Sequence, residues 1–358
     1  MSTPDSAYRV RLLDESEIDA LHALSVACFA ERANSATFIR SRYFSQTGPQ
    51  ADVVVVDDAG SVVAAQTVTY LPFLLRGEPV FAGMFTDGMT HPEHRRRGLF
   101  RMAINEAERL AFEKQVAFLF TMPNDESLPA FERSDRWRVL PDRRLLVRPI
   151  NWGGVLRDRG VPGWISGLMG LPIDLVLKAR GRLSDAVTEV DDVSELVTDL
   201  DLLASRSTVA SSAILCRRDA GFLHWRFFEN PTFAYRCFVH HGSNGVNAYC
   251  ITTTEQRMGT TIGYAVDFLW SDTEAMDTLF QHVAERLRES GVRLFGAIVS
   301  SSQQVEALKR CGFRDVNPKF TGRAFHTAYA PNPAQPQLAT QLDQPDDWLL
   351  SLADFDTI

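Results

Sequence analysis

The chain has 358 residues, of which 45% are hydrophobic and 23% are charged, the usual balance of a globular chain with a substantial core. At about 150 residues per domain, this length favours two domains, and the composition excludes disorder, collagen or a coiled coil as a description of the whole chain. The 37 basic and 45 acidic side chains leave a formal net charge of −8. A general attraction to nucleic acid or to an anionic membrane is therefore not expected.

The cysteines and the N-terminus bear on the cellular compartment. The five cysteines form no C-x-x-C pair and no Cys/His spacing suited to zinc, which predicts free thiols in a reducing compartment and no metal. The first residues are polar and acidic, unlike a signal peptide, so we expect a cytoplasmic protein. The apolar window Trp164 to Ala179 is too short to span a bilayer and predicts a buried or interdomain helix.

The first half alternates helical and β-type patterns, which predicts an α/β unit with a mixed sheet. Apolar spacing and cap residues predict the helices, and β-branched runs predict the strands. The predicted elements, in chain order, are helices Ser16–Phe29 and Ala36–Tyr43, a hairpin of Ala51–Asp57 with Ser61–Tyr70, strand Val80–Thr90, helix Gly98–Glu113 and strand Val116–Thr121.

The second half repeats this rhythm after a connecting stretch rich in Gly and Pro. Its predicted elements are strands Ala234–Val239, Val246–Thr253 and Thr261–Trp270, helix Glu274–Glu289, strand Val292–Val299 and helix Gln303–Cys311. We infer a structural duplication. The predicted divisions are an N-terminal domain at 1–148, a connection at 149–184, a C-terminal domain at 185–329 and an extended tail at 330–358 that Trp348 and Leu349 dock back onto the protein.

The most informative stretch is Thr86 to Arg101, TDGMTHPEHRRRGLFR, which follows a predicted strand and opens a helix. Arg95-Arg96-Arg97-Gly98 would place backbone N–H groups and guanidinium donors at a helix N-terminus. Such an arrangement suits a pyrophosphate, because the helix dipole favours negative charge and glycine lets the backbone approach closely. The alternative is a solvated basic turn.

HPEHRRRGLFRMAINEAERLA resembles the acyl-CoA-binding motif of the GNAT acyltransferases, Arg/Gln-x-x-Gly-x-Gly/Ala. Arg95 and Gly98 match its first and fourth positions, while Phe100 stands where Gly or Ala is usual. Eis-type acetyltransferases are similar in carrying an HRRRG run followed by bulky apolar residues. The second half resembles a GNAT unit in its order of elements and in VEALKRCGFR, but it lacks the Arg-x-x-Gly loop, so it is expected to be degenerate.

The resemblance implies a set of residues that bind acetyl-CoA or another acyl-CoA. The strand backbone would pair with the pantetheine arm, the loop would hold the pyrophosphate, and Asn124 would contact the arm from the neighbouring strand. The residues implied are Met89, Thr90, His91, Arg95, Arg96, Arg97, Gly98, Leu99, Phe100 and Asn124.

Acyl transfer also needs a base for the amine and a proton source for the departing thiolate. Asp87, on the candidate central strand, is the predicted base, with a strand-end carboxylate capping a turn as the alternative. The family's usual proton donor is a Tyr where this sequence has Phe131. The open choices are Ser127 or a water as donor, an alignment offset, or a thiolate that leaves unassisted, since thiols have pKa values near 8.5.

Two further segments are candidates for the acceptor cleft. In FLHWRFFENP, Trp225 and Arg226 form either a stacking wall for the acceptor or the end of a core helix with an Arg226–Glu229 ion pair. The acidic C-terminus, with Asp354 and Asp356, either enters the cleft, as in Eis-type enzymes, or is the frayed tail that we expect.

The resulting hypothesis is a tandem-GNAT acyltransferase that moves an acetyl or short acyl group to an amine of a small molecule, such as an amino sugar or secondary metabolite. The alternatives are a Fem-type aminoacyl or peptidyl transferase, and a catalytically silent acyl-CoA-binding module. The residues do not indicate an oligomeric state.

Overall fold

The computed structural model describes residues 8–163, 165–166, 170, 183–207, 213–257, 259–316 and 324–354. The strands are β1 (Tyr8–Leu12), β2 (Ala51–Asp58), β3 (Ser61–Leu75), β4 (Glu78–Thr90), β5 (Phe118–Thr121), β6 (Arg138–Leu140), β7 (Arg144–Pro149), β8 (Val187–Val190), β9 (Ile214–Cys216), β10 (Arg236–Gly242), β11 (Gly245–Arg257), β12 (Thr260–Trp270), β13 (Leu294–Val299), β14 (Arg314–Asp315) and β15 (Thr327–Pro331).

The α-helices are α1 (Ile18–Phe29), α2 (Ala36–Tyr43), α3 (Leu99–Glu113), α4 (Leu128–Glu132), α5 (Trp152–Asp158), α6 (Val197–Arg206), α7 (Ala220–Leu223), α8 (Thr273–Glu289), α9 (Ser302–Arg310) and α10 (Gln337–Leu342). Helix α3 buries Leu99, Ala103, Ala107 and Ala111, whose spacing of four residues forms one apolar stripe facing the first sheet. The described helices include none that is long and apolar enough to cross a membrane.

The first sheet has the order β1-β2-β3-β4-β5-β15-β6, with β9 added beside β3. All of its pairs are antiparallel except β4 with β5. The predicted hairpin is confirmed, since Ala51 pairs with Thr69 and Asp58 with Ser61 across the turn. The mixed α/β architecture expected for this half is therefore present.

The second sheet repeats this plan with the order β14-β7-β13-β12-β11-β10-β8. Three antiparallel pairs from β8 to β12 are followed by the parallel pair β12 with β13, as β1 to β4 are followed by β5. A single continuous cluster of buried side chains, including Phe73 and Phe118 of the first sheet and Tyr249 and Phe280 of the second half, joins the two sheets.

The two sheets exchange strands. Strand β7, from the first half of the chain, pairs antiparallel with β13, and β15, from the second half, pairs antiparallel with β5. The sequence boundaries at 148 and 329 therefore do not coincide with the division between sheets. A strand pairs with whichever sheet edge lies next to it in the folded protein, and hydrophobic periodicity does not indicate which sheet edge that is. Most of the apolar window Trp164 to Ala179 lies outside the described residues.

The tail is more ordered than the extended segment expected from its Pro and Gln content. It contains α10, and Trp348 is fully buried and donates its indole N–H to the Leu342 carbonyl at 2.9 Å. Docking through Trp348 and Leu349 is confirmed, whereas a frayed end is wrong for Asp354, whose side chain is buried. The five cysteines are all free thiols, as predicted.

Candidate active site

The parallel strands β4 and β5 pair over only part of their length. Their ladder runs from Ala82 opposite Phe118 to Phe85 opposite Thr121, where β5 ends. Strand β4 continues to Thr90 and is paired there with β3 alone. An opening therefore begins beside the last residues of β4, the segment that carries the predicted base and the predicted pantetheine contacts.

A β-bulge shapes β4 at this opening. Thr86 pairs with Thr67 and Met89 with Ala65, so two residues of β4, Asp87 and Gly88, lie opposite one residue of β3. Asp87 has a φ of +47°, which lies in the left-handed region. A non-glycine residue in this region carries a conformational cost of about 1–3 kcal/mol. Such strain is characteristic of functional sites, because the surrounding structure must hold the residue in place.

Gly88 permits the close packing of helix α3 against the bulge. A Cβ atom at this position would lie 2.8 Å from the Phe100 ring and 2.8 Å from the Gln66 side-chain oxygen. The bulky residue at the sixth position of the Arg/Gly motif is thus accommodated by a glycine on the facing strand. Phe100 therefore takes part in packing the helix against the sheet.

The Asp87 carboxylate is held by two side chains that the sequence analysis did not select. Its Oδ2 accepts a hydrogen bond from the Tyr43 hydroxyl at 2.5 Å and another from the Asn34 side-chain amide at 2.9 Å. Tyr43 is fully buried, and burial followed by the Asp87 charge raises the pKa of its phenol well above the ordinary value. The phenol therefore keeps its proton and remains a donor. No local sequence signal links these residues, because they lie about forty to fifty positions from Asp87.

The Arg/Gly segment forms an exposed loop at the N-terminus of α3. Gly98 is the N-cap with a φ of +81°, and no side chain caps the first turn of the helix. Arg96 also has a positive φ of +63°, and all three arginines are exposed. Arg97 is anchored by the Tyr8 hydroxyl at 2.6 Å. Uncapped N–H groups beside three exposed guanidinium groups are compatible with an anion, and the binding of a pyrophosphate by this loop stays a prediction.

The predicted pantetheine segment is an ordered strand edge. The His91 N–H donates to the Val63 carbonyl at 2.8 Å, towards β3. Since successive amides of a strand point to opposite sides, the Thr90 N–H points away from β3, towards the side of β5. Met89 is buried against α1 and α2, so its contribution at this edge is confined to its backbone.

Asn124 and Ser127 form a tight turn after β5. The Asn124 side-chain oxygen accepts from the Ser127 N–H at 2.9 Å and from the Ser127 hydroxyl at 3.0 Å. Ser127 precedes α4, and both residues follow the strand that diverges from β4. Their roles as pantetheine contact and proton donor remain predictions, because the turn itself accounts for the Asn124 oxygen.

Phe131 is a core residue between α3 and the first sheet. Its ring is 3% exposed and meets the Trp137 ring edge to face at 4.7 Å between centroids. Trp137 in turn packs on Phe85 of β4. These contacts explain why an apolar ring is present at the position where the family usually has tyrosine.

Replacing Phe131 with tyrosine tests whether this position supplies a proton. A hydroxyl added among apolar neighbours is expected to lower the free energy of unfolding by about 1–3 kcal/mol and to leave thiol release from acetyl-CoA unchanged. Urea denaturation and a thiol assay measure the two effects. Phe81→Tyr, at a ring that is 59% exposed on β4, is the matched control and should be neutral in both. A clear rise in thiol release by the Phe131 variant would contradict the structural role.

The predicted acceptor residues lie at a contact between the two halves. Trp225 belongs to a π-helical turn, His224–Phe228, and its buried ring is covered by the Arg42 guanidinium at 4.3 Å. A Cβ atom at Gly48 would lie only 2.2 Å from the same ring. Arg226 is also buried and donates to the Ala353 carbonyl at 2.9 Å. Participation of either residue in acceptor binding remains a prediction.

In the second sheet, the tail occupies the position that corresponds to the β4–β5 opening. Strands β12 and β13 stop pairing after Ala265 and Ala297. There the Ser351 hydroxyl donates to Asp267 at 2.6 Å, and the Leu350 N–H donates to the Ser300 hydroxyl at 2.8 Å. The tail thus bridges the ends of the two strands, which favours a single coenzyme site in the first half.

The helix that follows β12 differs from α3 at its N-terminus. Asp272 caps α8 by accepting from the Ala275 N–H at 2.8 Å, and Glu274 adds a second carboxylate to the first turn. A cap and two negative charges at this position disfavour a pyrophosphate. Among the described residues, no group of three or more His, Cys, Asp and Glu side chains is arranged to hold a metal ion.

One protein-family model matches a large part of the first half of the chain. The model of the acetyltransferase (GNAT) domain family matches residues 9–138, a range that contains the bulge, the Arg/Gly loop, α3 and β5. A search of curated proteins found no match. The match to the family model covers part of the first half of the chain and does not extend to the second half.

Solved structures resemble the whole chain. One is a protein of unknown function from Enterococcus faecalis described as a probable N-acyltransferase, with a TM-score of 0.65 and 11% identity over 92% of this chain and 74% of that one. An Anabaena variabilis GCN5-related N-acetyltransferase gives 0.62 and 11% over 90% and 72%. Saccharomyces cerevisiae N-myristoyltransferase with bound myristoyl-CoA gives 0.60 and 14% over 92% and 84%. At these identities the likeness shows a shared fold alone.

Proposed function

We propose that the protein is an acyl-CoA-dependent acyltransferase built from two GNAT-like units, which transfers an acetyl or other short acyl group to an amine of a small molecule. The observation that carries the proposal is the uncapped N-terminus of α3 with its Arg95–Gly98 loop, next to the bulged end of β4 that presents Asp87. The candidate anion-binding loop and the candidate base thus belong to consecutive elements within the residues that match the GNAT family model.

In the proposed reaction, the nitrogen of the neutral acceptor amine attacks the thioester carbonyl of the acyl-CoA. A C–N bond forms, the C–S bond breaks, and the amine loses one proton. Asp87 accepts that proton, directly or through a water, and coenzyme A leaves as the thiolate or, after protonation by Ser127 or water, as the thiol. The part of β4 beyond the end of β5 would pair through its backbone with the pantetheine arm.

The N–H groups of the first turn of α3 and the loop arginines would hold the coenzyme pyrophosphate. The second half, with its own opening filled by the tail, would shape the acceptor side around Trp225 and Arg226. The acyl-chain length is proposed from the resemblance to acetyltransferases alone. Longer acyl-CoAs therefore belong in the same assay, since one solved relative of this fold was crystallised with myristoyl-CoA.

Isothermal titration with acetyl-CoA tests the coenzyme site. Wild type should bind one coenzyme per chain. The double variant Arg95→Ala/Arg97→Ala loses charge-assisted hydrogen bonds, and Gly98→Glu brings a negative charge and a side chain to a left-handed position, so each should lose about 1.5–3 kcal/mol of binding free energy.

Two variants control for charge loss and backbone strain. Arg109→Ala removes an exposed arginine near the other end of α3, and Gly60→Glu introduces the same residue at a left-handed turn between β2 and β3, with a φ of +87°. Both should bind acetyl-CoA as wild type does. Unchanged affinity in the loop variants, or saturation at two coenzymes per chain, would reject the assignment of the site.

A thiol-release assay over a panel of amines decides between enzyme and binding module. Release that depends on both acyl-CoA and a particular amine supports the acyltransferase, whereas tight coenzyme binding with no release from any amine would support a silent acyl-CoA-binding module. Failure to bind any acyl-CoA would favour the Fem-type alternative, which takes its acyl group from aminoacyl-tRNA.

A further inference from the structure

We propose that Tyr43 and Asn34 are positioning residues of the reaction, which hold the Asp87 carboxylate in the orientation that accepts the amine proton. This inference rests on the proposed function, because it assumes that Asp87 is the base. It adds two residues that no motif in the chain indicates, and it makes the region around α2 part of the catalytic machinery.

The first argument is the convergence of two donors on one oxygen. The Tyr43 hydroxyl comes from the last turn of α2 and the Asn34 amide from the turn before that helix, yet both donate to Asp87 Oδ2, at 2.5 and 2.9 Å. The Tyr43 oxygen is also 3.2 Å from the Thr86 hydroxyl, on the residue preceding Asp87. Two hydrogen bonds to the same carboxylate oxygen restrict the orientation of the carboxylate more than a single hydrogen bond does.

The second argument is the backbone of Asp87. Its left-handed φ of +47° places the side chain in a direction that regular strand geometry does not allow, and a conformation of this cost persists only when neighbours over-determine it. Tyr43 and Asn34 are such neighbours. The bulge aims the carboxylate, and the two donors hold it there.

The third argument is that both donors are themselves fixed. Asn34 donates its backbone N–H to the Ser25 hydroxyl at 3.1 Å, and its carbonyl oxygen lies 2.8 Å from His22 Nδ1, so α1 holds it from two sides. Next to Tyr43, Arg42 lays its guanidinium on the Trp225 ring of the second half. The positioning pair is therefore supported by both halves of the molecule.

The ionisable groups on the two helices that pack over the end of β4 are Asp19, His22 and Cys28 on α1 and Arg40, Arg42 and Tyr43 on α2. Hydrogen bonds to a carboxylate favour its ionised form, so removing one of them moves its protonation to higher pH. Burial, more than any nearby charge, raises the pKa of both Tyr43 and Cys28, so neither group ionises in the neutral range.

The experiment compares the pH profiles of kcat/KM for wild type, Tyr43→Phe and Asn34→Ala, using acetyl-CoA and the best amine from the panel. Each variant should keep the wild-type affinity for acetyl-CoA, lose about tenfold in kcat, and show an acidic limb displaced upwards by about one pH unit. Tyr70→Phe is the matched control, since Tyr70 donates to Asp52 at 2.6 Å in an equivalent phenol–carboxylate pair away from the opening. That variant should leave the profile unchanged.

A wild-type profile in both Tyr43→Phe and Asn34→Ala would overturn the positioning role, as would an equal displacement in Tyr70→Phe. If Tyr43→Phe fails to fold, the half-buried Asn34 decides the question alone. Asp87→Asn, measured in parallel, separates the two levels of the proposal. If Asp87→Asn is inactive while Tyr43→Phe and Asn34→Ala behave as wild type, Asp87 remains the proposed base and only the positioning role is rejected. If Asp87→Asn is fully active, both the role of Asp87 as base and the positioning role are rejected.

Discussion

Asp87→Asn is expected to lower kcat by about 100-fold or more, the scale usual for loss of a general base. The affinity for acetyl-CoA should remain within twofold or so of wild type, because the proposed pyrophosphate and pantetheine contacts are made elsewhere. Asparagine tolerates the left-handed conformation that Asp87 adopts, and its oxygen can still accept from Tyr43 and Asn34. The variant therefore changes basicity with little change in structure. Steady-state kinetics and isothermal titration measure the two quantities.

Asp52→Asn is the control for this substitution. Asp52 accepts from the Tyr70 hydroxyl at 2.6 Å and from Lys114 at 2.7 Å, so it resembles Asp87 in bonding to a phenol but lies away from the opening. It should retain the wild-type kcat. An Asp87→Asn variant with normal kcat, or one that has lost its coenzyme affinity, would show that the carboxylate has a different role.

The largest effect on stability is expected at the buried ion cluster under the tail. Arg218 contacts Asp267 at 3.0 Å and Asp354 at 2.7 Å, and all three side chains are almost completely buried. Arg218→Met would leave two carboxylates in the protein interior without their cation, which should lower the free energy of unfolding by about 3–5 kcal/mol. Urea denaturation monitored by tryptophan fluorescence measures this loss, since Trp348 is buried in the same tail.

Arg138→Met gives the comparison for an exposed pair. Arg138 forms an ion pair with Asp343 in which both side chains are more than two-fifths exposed, and such pairs contribute no more than about 1 kcal/mol. If Arg218→Met does not yield folded protein, Asp354→Asn removes one charge while keeping its shape and should give a smaller loss. A change below about 1 kcal/mol in both Arg218 and Asp354 variants would show that the cluster does not hold the tail in place.

The tail cluster and the proposed coenzyme site lie at equivalent places in the two sheets, where a parallel strand pair ends. In the first sheet the strands beyond Phe85 and Thr121 leave an opening beside the Arg/Gly loop. In the second sheet the equivalent position is crossed by Leu350 and Ser351, and Arg218 holds the chain that follows them. In the second sheet an internal contact thus occupies the position where the first sheet has its opening, which is why we expect one coenzyme per chain.

The sequence alone determined the parts of this protein whose causes are local. The hairpin of β2 and β3 follows from β-branched runs around a turn, and the stripe on α3 follows from helical spacing. The Arg95–Gly98 loop could be proposed as an anion site because the prediction depends only on contiguous residues at a strand–helix junction. Asp87 was proposed as the base from its place on the candidate central strand, whereas the bulge at this residue was not predicted.

Tertiary structure decided every feature that depends on a distant partner. Tyr43 and Asn34 reach Asp87 only because α1 and α2 fold over the end of β4. Strands β7 and β15 take places in each other's sheets, and Asp354, expected in a frayed tail, is buried on Arg218. The physical reason is common to all three. Secondary-structure propensity and hydrophobic periodicity act over a few residues. Strand pairing and the burial of charged side chains depend on which surfaces come into contact in the folded protein, and a single sequence does not show these contacts.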